Sequence, residues 1–357
     1  MKVVCRFEVR FSRFIDAEGK VVAALPDFAR RPEALIPLYE AMVLTRRFDA
    51  KAVALQRTGR LGTYAVALGQ EAVGVGVAAA MRAEDVLAPS YRETAAMFWR
   101  GVTIEEWLLY WGGDERGGDV AGPRRDFPVS IPVGSHALHA VGAAYAFELR
   151  HEASAAVAVF GDGATSRGDV AEAFNFAGAW RVPVVFVAID NGWAISVPRT
   201  AQTAAETLAQ KAIGAGFTGL QVDGNDVVAV RHAVERALAT AREGGGPTLI
   251  EALTYRLSDH TTADDAGRYR DADEVSRQWR EEPLARLRAY LAEAGVWGKD
   301  DEERMIADID ARIERAVAAY EATPPQAPEA MFDYLHATLP VALEGQRAAA
   351  MAADDDG

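Results

Sequence analysis

One cysteine in 357 residues, Cys5, excludes a disulfide framework and any CxxC metal site, and it points to a reducing compartment. Long apolar runs are also missing, and none approaches the roughly 20 residues that a membrane span needs. Basic charge is scarce. Lys and Arg number 38 against 52 Asp and Glu, and the resulting net charge of −14 argues against a nucleic acid or an anionic membrane surface as partner. The N-terminal stretch MKVVCRFEVRFSRFIDAEGK is too interrupted by charge for a secretory signal. Its Glu8, Asp16 and Glu18 count against a transit peptide, so cytoplasm is the expected compartment.

What is present is an ordinary globular composition, half of it apolar, with length for a full core. Residues 1–33 read as an extended arm bounded by Pro26 and Pro32. The main domain is expected over 34–322, followed by a linker and tail over 323–357 that ends in a disordered acidic MAADDDG. Helical patterns run through Ala34–Gln56, the small-residue segment Gln70–Met81, and 135–150. TIEEWLLYWGG (103–113) opens on a capping box made by Thr103 and Glu106. VLAPSYRE (86–93) reads as a short strand running into a loop, and apolar runs at 155–160, 184–189 and 248–253 read as strands. With helices between the last three they make βαβ units and hence a parallel sheet. Asp114–Ser130 and 258–270 read as polar loops, and two charged helices are expected from there to about Tyr320.

The most informative stretch is VAVFGDGATSRGDVAEAFNFAGAWRVPVVFVAIDNGWAISVP (157–198). One strand ends in Gly161-Asp162-Gly163 and the next ends in Asp190-Asn191. Parallel neighbours bring those ends together at the edge where open α/β sheets bind ligands. A carboxylate, an amide and a glycine-flanked turn suit a hard cation that holds a phosphate ester. Taken alone, Gly-Asp-Gly is also an ordinary tight turn. A dinucleotide fingerprint is the main rival reading, but Asp162 would then face a metal-free pyrophosphate at contact distance. A haloacid-dehalogenase-like phosphatase needs a second aspartate two residues on, where Ala164 stands.

GDG followed after somewhat under thirty residues by a pair ending in Asn resembles the α subunit of the E1 component of 2-oxo acid dehydrogenase complexes. These are thiamine-diphosphate enzymes. The resemblance extends through GRLGTYAVALGQEA (59–72), PSYRE (89–93), LAQKAIGAGFTGLQVDGNDVVAV (208–230), GPTLIEALTYR (246–256) and HTTADD…RYR (260–270). It implies the thiamine-diphosphate-binding α/β fold, a parallel sheet with helices on both faces, plus the arm and C-terminal helices. The first residue of the usual Asn pair is Asp190 here, which leaves Asn191 intact.

The resemblance further implies that Asp162, Asn191 and the Trp193 carbonyl coordinate Mg²⁺. Gly163 and Ala164 approach the diphosphate, which Arg92 reaches with Tyr91 packed beside it, and Gly161 and Ala194 also belong to the cofactor site. Ile131 and Val133 lie where the family presents backbone groups and an apolar wall to the aminopyrimidine ring. His260 faces the cofactor and assists acyl transfer to lipoamide. Thr261 and Thr262 fall where animal relatives carry a phosphorylation loop, although Ala266 replaces a serine found there in some relatives. His136 and His139 suggest an i, i+3 metal pair, but no third ligand is spaced to match, and packing is the expected role.

The implied reaction is oxidative decarboxylation of a 2-oxo acid with reductive acylation of the E2 lipoyl domain. A separate β subunit supplies a glutamate, in an α₂β₂ assembly. Pyruvate is the expected substrate, ahead of branched-chain 2-oxo acids, with acetoin cleavage as a further alternative. Outside this class stand a nicotinamide-dependent dehydrogenase and a non-catalytic scaffold subunit.

Overall fold

The computed structural model describes residues 1–355 apart from Pro123 and Tyr334. Its strands are β1 (Phe11–Ser12), β2 (Val86–Ala88), β3 (Ala156–Gly161), β4 (Val184–Asp190), β5 (Trp193–Ala194), β6 (Val197–Pro198), β7 (Thr218–Asp223) and β8 (Thr248–Leu253). Six of them form a sheet in the order β1-β7-β8-β4-β3-β2, parallel at every pairing, while β5 and β6 make a small antiparallel hairpin. β3 and β4 read AVAVFG and VVFVAID, near-continuous runs of apolar and β-branched residues, as a sheet covered on both faces requires.

Side-chain alternation divides the core in two. Ala156, Ala158, Phe160, Val184, Phe186 and Ala188 point to one face, with helices 136–150 and 168–180. Val157, Val159, Val185, Val187 and Ile189 point to the other, with helices 36–57, 71–80 and 227–242. The Thr103–Glu106 capping box forms as its sequence predicts. Among the described residues no helix is long and apolar enough to cross a membrane.

Several local expectations change. β7 was not read as a strand, and the 272–322 region holds three α-helices rather than two. The arm is not free: Gln221 donates to the Arg10 carbonyl, β1 extends the sheet beside β7, and Ile15 is buried. Val341–Asp355 is helical where the acidic end was expected to be disordered, because its alanines favour helix; the last two residues lie outside the described ones. The small-residue helix 71–80 packs closely within the chain. A Cβ at Gly76 would stand 2.8 Å from Val230 Cβ, and one at Gly74 2.8 Å from Ala95 Cβ.

Candidate functional site

Because all six strands of the sheet run the same way, their C-terminal ends share one edge. Pairing of Gly161 with Ile189 puts Asp162 beside Asp190, with Asn191 next along the chain. Pairing of Asp190 with Leu253 brings the segment after β8 to the same place, where Arg256 N–H donates to the Asn191 carbonyl at 3.3 Å. Strands are added in one direction from β2 to β4 and in the opposite direction from β7 to β8. The crevice therefore opens at a reversal of strand order, the usual ligand position of an open α/β sheet.

A cavity of about 180 Å³ occupies this edge. Tyr91, Arg92, Val133, Gly161, Asp162, Gly163, Ala164, Asn191, Trp193, Ala194 and His260 all line it. Ile131 does not: it is 53 % exposed and stands outside the lining. His136 also lines the cavity but is buried and hydrogen-bonded from Nε2 to the Val159 carbonyl at 2.8 Å, and His139 stacks on Phe127. Both histidines are held by packing contacts. Among the described residues no group of three His, Cys, Asp or Glu side chains is placed to hold a metal. The Asp162, Asn191 and Trp193 set contains one carboxylate and lies outside such a group.

Three residues that the sequence reading missed complete the site. Gln202, just after the β5–β6 hairpin, donates to Asp162 Oδ2 at 2.8 Å. Gln70 accepts from Asn191 Nδ2 at 3.2 Å, so the Asn191 carbonyl oxygen Oδ1 is left for the Trp193 N–H at 3.1 Å. Arg256, fully buried, donates to the carbonyls of Trp193 (3.3 Å) and Ile195 (2.7 Å). Its signal was available: a cation only a few residues past an apolar strand, on the ligand-binding edge.

The electrostatics divide the cavity. Asp162 is 2 % exposed, and burial pushes its carboxyl above the ordinary range while the Gln202 amide partly offsets the effect. Asp190 rises to about 6, through burial and then the neighbouring Asp162, with Arg199 at 3.2 Å opposing. Against this acidic wall stand Arg92 and Arg256, both buried. Arg92 donates to the carbonyls of Val66 (2.5 Å) and His260 (2.9 Å). Among the described residues neither guanidinium pairs with a carboxylate. Such uncompensated buried cations are costly unless an anion joins them.

His260 Nδ1 faces both arginines, 3.2 Å from Arg92 Nη2 and 3.4 Å from Arg256 Nη1. Nδ1 therefore accepts, and the neutral ring carries its proton on Nε2. Burial, then Arg92, then Arg256 lower its pKa from 6.5 to about 4. The folded chain thus binds fewer protons here than the unfolded chain between about pH 6.5 and pH 4, so stability contributed by neutral His260 is lost as pH falls through that window. The proton NMR signal of the His260 ring is expected to show no titration step above pH 5, and Arg92→Met should move the step upward. A midpoint near 6.5 in the parent protein would refute this environment.

Residues 39–329 match the dehydrogenase E1 component family. The chain is 45 % identical over 316 residues to the 3-methyl-2-oxobutanoate dehydrogenase subunit alpha of Mycobacterium tuberculosis, covering 88 % of this chain and 86 % of that protein. It is 38 % identical over 337 residues to the pyruvate dehydrogenase E1 component subunit alpha of Staphylococcus aureus, covering 94 % and 90 %. A family match across most of the chain, together with α chains aligned nearly end to end, leads to one conclusion: the chain belongs to the dehydrogenase E1 component family, as an α subunit of the 2-oxo acid dehydrogenase type.

Proposed function

We propose that this chain, joined to a β-type subunit in an α₂β₂ enzyme, binds thiamine diphosphate through Mg²⁺ and carries out oxidative decarboxylation of a 2-oxo acid. The observation that carries this reading is the charge separation in the cavity. Arg92 and Arg256 have only carbonyl, imidazole and phenol partners among the described residues, and they suit the oxygens of a diphosphate. Asp162 accepts from an amide and, among the described residues, forms no ion pair, which suits a divalent metal. Asn191 Oδ1 and the Trp193 carbonyl oxygen each accept one hydrogen bond and keep a second lone pair for that metal. The residues present therefore fit the group.

When bound, the cofactor supplies a nucleophilic carbon and an electron sink for loss of CO₂. The chain's own part is to bind and orient. Arg92 and Arg256 would hold the phosphate end, while Gln202 orients the Asp162 carboxylate and Gln70 the Asn191 amide, the two side chains that would hold the metal. His260, neutral at physiological pH, offers an Nε2 proton to the acyl transfer that loads the lipoyl domain of an E2 acyltransferase. The apolar mouth at Ile131, Val133 and Ile195, 53 %, 43 % and 56 % exposed, is where a β subunit would close the aminopyrimidine side.

Pyruvate is the substrate of the first reading. A branched-chain 2-oxo acid is the second, favoured by the 45 % identity to the mycobacterial protein. The test is co-expression with the β-type chain and dye-linked decarboxylation in Mg²⁺ and thiamine diphosphate, with pyruvate and 3-methyl-2-oxobutanoate in parallel. Cofactor-dependent turnover of one acid is expected. NAD binding without Mg²⁺ or thiamine dependence would replace the reading with a nicotinamide dehydrogenase. An associated, folded but inert pair would favour a scaffold.

A further inference from the structure

His260 lies in a polar segment without regular structure of its own between β8 and the short helical turn at 266–268, so something else must fix its position. Within the segment, the His260 N–H donates to Asp264 Oδ2 at 2.8 Å, and Asp264 is in turn held by the Tyr269 hydroxyl, which accepts from Arg256 at 2.8 Å. Arg92 holds the His260 carbonyl. Arg92 and Arg256 also meet its ring at Nδ1, and the residues that follow it are tied to the core at Thr262. Its N–H donates to the Tyr64 carbonyl at 2.9 Å, and its Oγ1 accepts from the Tyr64 N–H at 3.0 Å. This pair is reciprocal, like one rung of an antiparallel ladder, except that a side-chain hydroxyl replaces one backbone carbonyl.

Tyr64 is a rigid post for that rung. It is fully buried, its ring packs edge-on to Phe48 and Trp111, and its hydroxyl donates to Asp49 Oδ1 at 2.5 Å. The other oxygen of Asp49 accepts from the Ala67 N–H at 2.8 Å. The segment that holds Thr262 is thus the one that presents Val66 to Arg92 and Gln70 to Asn191. One buried aspartate sets the position of both.

We infer that Thr262 is a positioning residue for the lipoyl half-reaction: its hydroxyl clasps Tyr64 and so holds His260 at the cavity. Chain chemistry supports a role for the side chain itself. Valine has the same shape but no acceptor, so it would leave the Tyr64 N–H without its partner, whereas serine keeps the oxygen. The inference rests on the reading of His260 under Proposed function, and its test is arranged to fail separately from that reading.

Thr262→Val and Thr262→Ser are prepared in the chain co-expressed with its β-type subunit. The first readout is tryptic cleavage after the exposed Arg268 under native conditions. Loss of a hydrogen bond that leaves its donor unpaired corresponds to about tenfold more frequent opening. Cleavage should therefore quicken about tenfold in Thr262→Val and stay at the parent rate in Thr262→Ser. The second readout is the ratio of lipoyl-domain acylation to dye reduction, which should fall about tenfold in Thr262→Val and recover in Thr262→Ser. Equal loss of both activities, or cleavage at the parent rate in Thr262→Val, would overturn the inference. If the assembled enzyme turns over no 2-oxo acid, the proposed function fails, and the cleavage comparison alone still decides whether the clasp holds the loop.

Discussion

The Asp162→Asn enzyme, assembled with its β-type subunit, is expected to lose Mg²⁺-dependent binding of thiamine diphosphate by more than about 100-fold, since even residues that only support a metal ligand cost 10- to 100-fold. The fold should survive. Asp162 is buried at the end of β3, and burial opposes its charge more than the Gln202 amide and the Arg256 guanidinium favour it. A neutral amide of the same shape removes that penalty, so the variant without cofactor should melt no lower than the parent. Asn keeps one oxygen for the Gln202 amide, which confines the change to charge. Isothermal titration with thiamine diphosphate, with and without Mg²⁺, measures the effect. Equal affinity in parent and variant would remove Asp162 from the metal site.

The largest expected effect on stability lies far from the cavity. Asp223, 4 % exposed at the end of β7, binds Arg286 at 2.5 Å and Arg13 of the arm at 2.5 Å. Arg286 is itself 1 % exposed and also donates to the Ile15 carbonyl at 3.1 Å. Asp223→Ala leaves that buried guanidinium only the half-exposed Glu281, 3.2 Å away, as charge partner, and breaking a buried pair in this way costs up to about 3–5 kcal/mol. The Asp223→Ala, Arg286→Met double variant should recover much of the loss, because a flexible apolar side chain fills the space without a charge. Urea unfolding of the three proteins tests the coupling. A single-variant loss below about 1 kcal/mol would mean that water reaches Arg286.

Those two aspartates also show what the chain's text did and did not disclose. Asp162 was legible because its neighbours are glycines and the strand before it is a run of apolar residues, so local pattern and site coincide. β3, β4 and β8 were legible for the same reason. β7 was not: TGLQVD mixes glycine and glutamine with its apolar residues and is only partly buried, so neither periodicity nor composition marks it. Gln70 and Gln202 escaped because nothing local sets their role. Gln70 meets Asn191 across 121 positions, and Gln202 meets Asp162 across 40. Ile131 shows the converse. Its place in the sequence suggested a cofactor wall, whereas in the isolated chain its side chain is exposed.

The in-register pairing of β3 with β4 has a consequence for how such chains diverge. Hydrogen-bond register in a sheet changes only in whole residues, each step moving a strand by roughly 3.3 Å and turning its side chains to the opposite face. Asp162 and Asn191 are fixed by that register, not by the length of chain that joins them. The crossover helix at 168–180 and its two turns can gain or lose residues over evolutionary time while the two oxygens stay where they are. Descendants of one ancestor should therefore keep the two ends of the motif and differ freely in the spacing between them, so that a search demanding a fixed interval would pass over true kin.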